Sequence, residues 1–414
     1  MSGTPAGIDL FDPATQEDWY PTYQLLRDEA PVYRIPETDI YVLSRYSDLA
    51  FVNRRTDLFA NGPGATAAYI NDPEALRIYR EEGMARRSVL GTEPPVHRRY
   101  RNLVDPFFSE GAAERRRPLI EGIVNDLIDS WIADAQVEFV GQFALPLPVT
   151  VITALLGFDL ADVPLLKAWS EAWVIPFAGP MSPEQQRFVA RQGVEFQHHI
   201  LATLAAKRDQ PDDSVISHLA HTVFDDEGTL RPLSETEIVN IVDHLYIGGN
   251  ETTTFALASG LWLLQRHPDV EARLRAEPGL IPAFVEETLR LESPTQGLPR
   301  HAKLDVEIGG VTIPAGATVH LRFAAANRDE RYFAEPDKLD LDRANANRHV
   351  AFGQGEHHCP GAGLSRVEQR IAWASLLTRL SAWAPAPDAP PVDHHPGFVL
   401  RAIKELPITF TAAG

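Results

Sequence analysis

Cys359 is the one cysteine of the 414-residue chain, and it stands in the segment Phe352-Gly353-Gln354-Gly355-Glu356-His357-His358-Cys359-Pro360-Gly361. Glycines at 353, 355 and 361 permit tight turns and the close approach of a flat ligand. A helical pattern follows at 363–380. Helix N-termini stabilise anions, so this position favours a thiolate over a thiol. A single thiol rules out an internal disulfide, a zinc finger and a thiolate-held iron–sulfur cluster. Three readings of Cys359 remain. It is a small buried hydrophobe, the nucleophile of a cysteine hydrolase with a histidine base, or the axial ligand of a haem iron, where a thiolate pushes electron density towards O–O cleavage. The three glycines, the flanking Phe352 and His357 favour the third.

A second constellation is Gly248-Gly249-Asn250-Glu251-Thr252-Thr253-Thr254. It lies in the middle of a pattern that predicts one long helix over 234–267, opened by the capping box Ser234-Glu235-Thr236-Glu237. Two glycines and three β-branched threonines weaken a helix centre, which predicts a local opening there. His244, Gly248 and Thr252 stand at i, i+4 and i+8 on one face. Glu251 points about 100° away from Thr252. This arrangement suits an alcohol facing a bound ligand and an acid facing a water or proton route. It also suits a plain glycine-rich kink in which the threonine bonds back to the previous turn.

Together these segments resemble the cytochrome P-450 family. Residues 352–361 match the haem loop Phe-Gly-x-Gly-x-His-x-Cys-x-Gly at every fixed position. Gly248, Gly249, Glu251 and Thr252 match the oxygen-activation motif Ala/Gly-Gly-x-Asp/Glu-Thr, with Glu where Asp is more frequent. The resemblance implies a mainly α fold with a small β subdomain, and haem b (iron protoporphyrin IX) between the long central helix and the cysteine-loop helix. It implies O2 as co-substrate, Cys359 as the iron ligand, and Thr252 with Glu251 as the proton-delivering pair. Phe352, Gly353, Gly361 and Gly248 would border the haem. His97, Arg101, Arg300 and His357 match positions that bind its propionates, which need cationic donors when buried. Glu287-x-x-Arg290, with Arg343, matches a structural ion-pair set behind the loop. The substrate pocket would draw on Val89, Leu90, Trp173, Val174, Phe177, His244, Leu245, Leu298, Phe398 and Val399. That set is mostly apolar, as small-molecule sites are. His244 is its polar handle, and Arg86 and Arg87 are further candidates for meeting a carboxylate.

The implied activity is a monooxygenase acting on a small, mostly apolar substrate. The chain has no length for a flavin module and one cysteine cannot hold a cluster. Electrons from NAD(P)H would therefore arrive through a separate ferredoxin reductase and ferredoxin. A haem-binding or sensing protein without turnover, or a peroxide-dependent oxygenase, are the alternatives; the Glu251–Thr252 pair argues for O2 plus electrons. Arg98, Arg99, Arg101, Arg115, Arg116 and Arg117 cluster within a short stretch of an otherwise acidic chain, which suggests a docking patch for an acidic electron donor.

Several elements must position these residues. Helical periodicity covers 15–28, 118–133, 183–208, 234–267 and 281–291; 33–43 reads as a short hairpin, 305–323 as strands, and 326–358 as irregular chain. No linker or repeat divides the sequence, so residues 1–414 read as one domain, expected to be monomeric. With 38 Lys and Arg against 57 Asp and Glu, the net charge is −19, which disfavours nucleic acid and anionic membranes. No uninterrupted apolar run of about 18 residues or a secretory pattern occurs, so a cytoplasmic location is expected.

Overall fold

The structure is a computed structural model that describes residues 8–61, 70–84, 89–177 and 180–413. Its axis is the helix Glu235–Arg266. At 1.5 Å per residue its 32 residues span about 48 Å. The expected capping box is present: Glu237 N donates to Ser234 Oγ at 3.3 Å, and Ser234 N donates to Glu237 Oε2 at 2.7 Å. Burial works against the Glu237 charge, yet bonds from Arg231, Tyr100 and Ser234 hold the carboxyl down at about 2. The helix stops at His267, whose non-helical φ/ψ precedes Pro268.

The predicted opening at its centre is absent, because Gly248 to Thr254 are helical without a break. The threonines remove the cause by satisfying their hydroxyls inside the helix. Thr252 Oγ1 donates to the Gly248 carbonyl at 3.3 Å, and Thr254 Oγ1 to that of Asn250 at 3.1 Å. The two glycines serve different ends. A Cβ on Gly249 would lie 2.9 Å from Ile152, so this glycine lets the helix Pro146–Leu156 pack closely, whereas a Cβ on Gly248 would meet open space.

Other helices follow the periodicity: Arg117–Trp131, Pro183–Asp209, Ile281–Glu292 and Ala362–Arg379. The expected helix at 15–28 is two, Pro13–Glu17 and Tyr20–Glu29, since Pro21 favours the start of a helix over its interior. The hairpin is Val32–Arg34 with Ile40–Leu43, and it extends into a five-stranded sheet by long-range pairing. Thr318–Leu321 lies parallel to Ile40–Leu43 and antiparallel to Leu298–Ala302, with Val319 opposite Arg300. Among the described residues, no helix is long and apolar enough to cross a membrane.

Behind the cysteine loop Glu287 and Arg290 are fully buried, with Arg343 at their edge. Arg290 meets Glu287 at 2.6 and 2.9 Å, and Arg343 meets it at 3.1 Å. Arg290 also donates to the carbonyls of Asn327, Pro336 and Lys338, so it organises the irregular chain that leads to the loop. Removing one partner of such a pair leaves an uncompensated buried charge. Glu287→Ala should cost about 3–5 kcal/mol, read as a lower urea midpoint for loss of both helical signal and haem absorption; an unchanged midpoint would contradict this.

Candidate active site

The cysteine loop folds on two left-handed glycines, Gly353 (φ 68°) and Gly355 (φ 76°). A Cβ on Gly355 would lie 2.6 Å from the Asn53 carbonyl. Cys359 N donates to the Phe352 carbonyl at 2.9 Å, closing the loop just before the helix Ala362–Arg379. Cys359 is half-buried. Burial pushes its thiol up, while the Gly361 and Ala362 N–H groups and the Arg101 and Arg366 charges pull it down. The helix-end effect expected from the sequence is therefore present but outweighed, and a cation seated on the sulfur would reverse the balance.

One cavity brings Cys359, Phe352 and Gly361 from the loop to face His244, Leu245, Gly248 and Thr252 from the central helix. The open space above Gly248 belongs to this cavity. Glu368, one turn beyond Leu364 on the cysteine helix, also lines it and was not singled out from sequence. Its carboxyl is fully buried with Oε2 unpaired, and burial raises its pKa well above the usual range.

An adjoining hollow is lined by Asn53, Glu93, Arg300 and His357, and a cleft beyond it by His97 and Arg101. Arg300 is 7% exposed. It donates to the Pro299 carbonyl at 2.8 Å and to Asn53 Oδ1 at 3.3 Å, with no carboxylate in bonding range among the described residues. Burial pushes it down to about 10. Both ring nitrogens of His97, His357 Nε2 and Asn53 Nδ2 are buried without a hydrogen-bond partner. The His97 and His357 rings are 4.2 Å apart. A buried cation and four orphaned polar atoms, shared between this hollow and the adjoining cleft, call for an anion rich in acceptors, so these residues fit haem with its two propionates. Arg101 is partly committed elsewhere, to Asp105 at 2.6 Å and to the His358 carbonyl at 2.9 Å. Asn53 carried no sequence signal, because only the tertiary fold brings its helix, Tyr46–Arg54, to the loop.

Other expected site residues lie elsewhere. Glu251 turns from the Cys359 cavity into a second cavity, which Val174 and Phe177 also line. Its Oε1 accepts from Ser170 Oγ at 2.8 Å, and burial raises its pKa. Trp173 Nε1 donates to Asp243 at 3.1 Å. Leu90 is in the main core, and Val89 begins the 3-10 turn Val89–Gly91. The Phe398 ring packs against Phe11, Trp19 and His320 and under Arg322, in a core cluster that includes Val399 and is flanked by Leu298. Arg86 and Arg87 lie outside the described residues. The arginine cluster is less positive than its sequence suggests, because acids folded against it neutralise it. Arg98 pairs with Glu356 at 2.7 Å, Arg99 with Asp226 at 3.0 Å, and Arg117 with Glu114 at 2.7 Å. Arg116 turns onto the Phe107 and Ala112 carbonyls.

A family profile described as cytochrome P450 matches residues 166–409. The chain is 34% identical over 409 residues to 6-deoxyerythronolide B hydroxylase of Saccharopolyspora erythraea, covering 97% of this chain and 98% of that enzyme. The chain belongs to the cytochrome P450 family. It is also 38% identical over 411 residues to pentalenic acid synthase of Streptomyces avermitilis, covering 97% of this chain and 95% of that one. The solved structure of cytochrome P450 CREJ in complex with (4-ethylphenyl) dihydrogen phosphate superimposes with a TM-score of 0.90 at 27% identity, over 98% of this chain and 99% of that chain. This P450 is a haem-thiolate monooxygenase, an oxidoreductase that uses O2 to place one oxygen atom in a small organic substrate.

The raised pKa of Glu251 has a consequence for stability. Above the ordinary carboxyl value of 4.5 the unfolded chain ionises this group while the folded chain resists. The fold therefore loses stability as pH rises from there until the raised value is passed. Glu251→Gln should show a higher urea midpoint than the natural chain near about pH 8 and an equal one near about pH 4; a gap of the opposite sign would overturn this reading.

Proposed function

We propose that Cys359 ligates the iron of haem b, with its propionates held by Arg300, His357, His97 and Arg101, and that Thr252 and Glu251 manage protons. The single observation that carries this is the shared cavity: the Cys359 sulfur and the open face of the central helix, with Gly248 and Thr252, line one space, and Arg300 has no carboxylate partner among the described residues. Bound haem supplies the activation of O2 and the oxidising power. The balance is R–H + O2 + 2H+ + 2e− → R–OH + H2O.

The chain's own residues supply protons, position and dryness. Desolvation raises the Glu251 pKa and so favours its protonated form, and the residue faces the second cavity, from which water can replenish it. Thr252 Oγ1 leaves the Gly248 carbonyl and presents its hydrogen into the Cys359 cavity. Leu245 excludes water there, while His244 offers a polar contact to an otherwise apolar substrate.

Two electrons come from NAD(P)H through a ferredoxin reductase and a ferredoxin. The chain acts as a single domain and a monomer, in the cytoplasm where those carriers are found. One core cluster running from Leu90 to Phe410 supports the single-domain reading.

Thr252→Ala should keep the red-shifted Soret band of the reduced carbon monoxide complex and keep consuming NAD(P)H. Its product yield should fall about 10-fold or more, as loss of a positioned proton donor predicts. Cys359→Ser should lose that band. Full coupling in the first variant, or a retained band in the second, would reject the assignments. On the surface, Arg98 and Arg115 are the exposed members of the arginine cluster. Reversing both to Glu should slow reduction by ferredoxin about 10-fold at low salt and leave the absorption spectrum unchanged; an equal rate would remove this face as the docking site.

A further inference from the structure

The central helix separates two cavities that share no lining residue: the one at Cys359, and one of about 680 Å³ on the Glu251 side. The second is walled by the helix Val163–Val174, by the 3-10 turn Ile175–Phe177 and by the C-terminal hairpin around Pro396 and Leu400. Its surface is mostly apolar, with Ile175, Phe177, Phe255 and Leu400 among its walls. We propose that this cavity is a second ligand site, distinct from the substrate site, which takes an organic ammonium ion with an apolar body and seats its charge at Glu251.

The charges decide the class of ligand. Six titratable residues line the cavity: Glu138, Lys167, Glu171, Glu251, His395 and Lys404. Five are occupied or neutral. Glu138 accepts from the backbone N–H groups of Val140 and Leu406 at 3.0 and 2.8 Å. Lys167 pairs with Glu171 at 3.4 Å, one helical turn apart. Lys404 pairs with Asp393. Desolvation, aided by the Lys404 charge, lowers the His395 pKa, which favours the neutral ring. Glu251 is different. It holds a hydroxyl bond from Ser170, and among the described residues no cation lies within ion-pair distance of it. Asn250 shares the Ser170 hydroxyl, Tyr246 lies a turn earlier in the helix, and the charges of the Lys167–Glu171 pair act on Glu251 in opposite directions. A cation in the cavity would meet this acid, with the rings of Phe177 and Phe255 available as cation–π partners and the apolar wall for the remainder of the ligand.

Occupancy has a direct chemical result. The ammonium ion binds the carboxylate form, so Glu251 releases its proton to solvent on binding, and affinity rises with pH through the titration of that group. No bond is made or broken beyond that release of one proton to solvent. Binding itself depends only on the cavity. Its effect on turnover, an ammonium ion starving the proton supply, rests on the assignment of Glu251 to proton delivery.

The test uses the haem-loaded chain and benzyltrimethylammonium, whose charge is fixed and which has no lone pair for iron. Calorimetry should find one saturable site, with the Soret band unmoved and with binding unchanged when a phenyl-substituted imidazole occupies the iron. Affinity should be greater at about pH 8 than at about pH 5. It should fall about 10-fold or more in Glu251→Gln and for the uncharged isostere neopentylbenzene, a loss well within what one ion pair supplies. Ile175→Trp, which fills the cavity and leaves Glu251 intact, should abolish it while the reduced carbon monoxide spectrum persists. Absence of saturable binding up to about 10 mM, displacement by the imidazole, or equal affinity in Glu251→Gln would each overturn the proposal. A normal spectrum accompanying any of these would leave the haem site standing.

Discussion

A sulfur that must carry negative charge in a partly desolvated cavity is the constraint around which this molecule is arranged. Desolvation alone would keep Cys359 protonated. The surroundings lean the other way through several small contributions from separate parts of the chain. The first N–H groups of the helix Ala362–Arg379 point at the sulfur, and Arg101 and Arg366 lie near enough to lower its pKa. Arg366 is itself fixed by Glu286 at 2.6 and 3.0 Å and stacks over the Phe352 ring. The cation is thus oriented by a helix remote in sequence, and the ring that flanks the sulfur is held by that cation.

The same logic reaches outward. Glu287 and Arg290 sit on the same helix as Glu286, and they hold the irregular chain that ends in the cysteine loop. Asn327 joins the two systems: it donates to Ser293 Oγ at the end of that helix and accepts from Val350 N just before the loop. The loop has little regular structure of its own. Its shape comes from buried side chains that satisfy backbone groups which no helix or strand would satisfy. That explains why so much buried charge is retained behind a site where the charges themselves touch no ligand.

The central helix answers a second demand, which is to stand close to a flat ligand on one face while keeping an acid on another. Gly248 gives clearance, Gly249 gives tight packing against Ile152, and the intervening 100° turn per residue places Glu251 away from Thr252. Glu251 and Thr252 thereby face different cavities on either side of one helix.

The sequence by itself determined the chemistry and the main elements. A lone cysteine in a glycine-punctuated loop, an acid beside an alcohol in a glycine-rich helix, and the capping box at Ser234 are local patterns, and local patterns fix short-range geometry. The outline of the long helices and of the N-terminal hairpin followed for the same reason. Only the tertiary structure decided what depends on residues far apart in the chain. It removed the expected break in the central helix, since Thr252 and Thr254 bond within it and Ile152 packs against it. It brought Asn53 to Arg300 and Glu368 to the Cys359 cavity. It sent the Phe398 ring into a core cage under Arg322 and neutralised the arginine cluster with acids from other elements. Burial and ion pairing are properties of neighbours in space, and spacing along a chain does not encode which neighbours those will be.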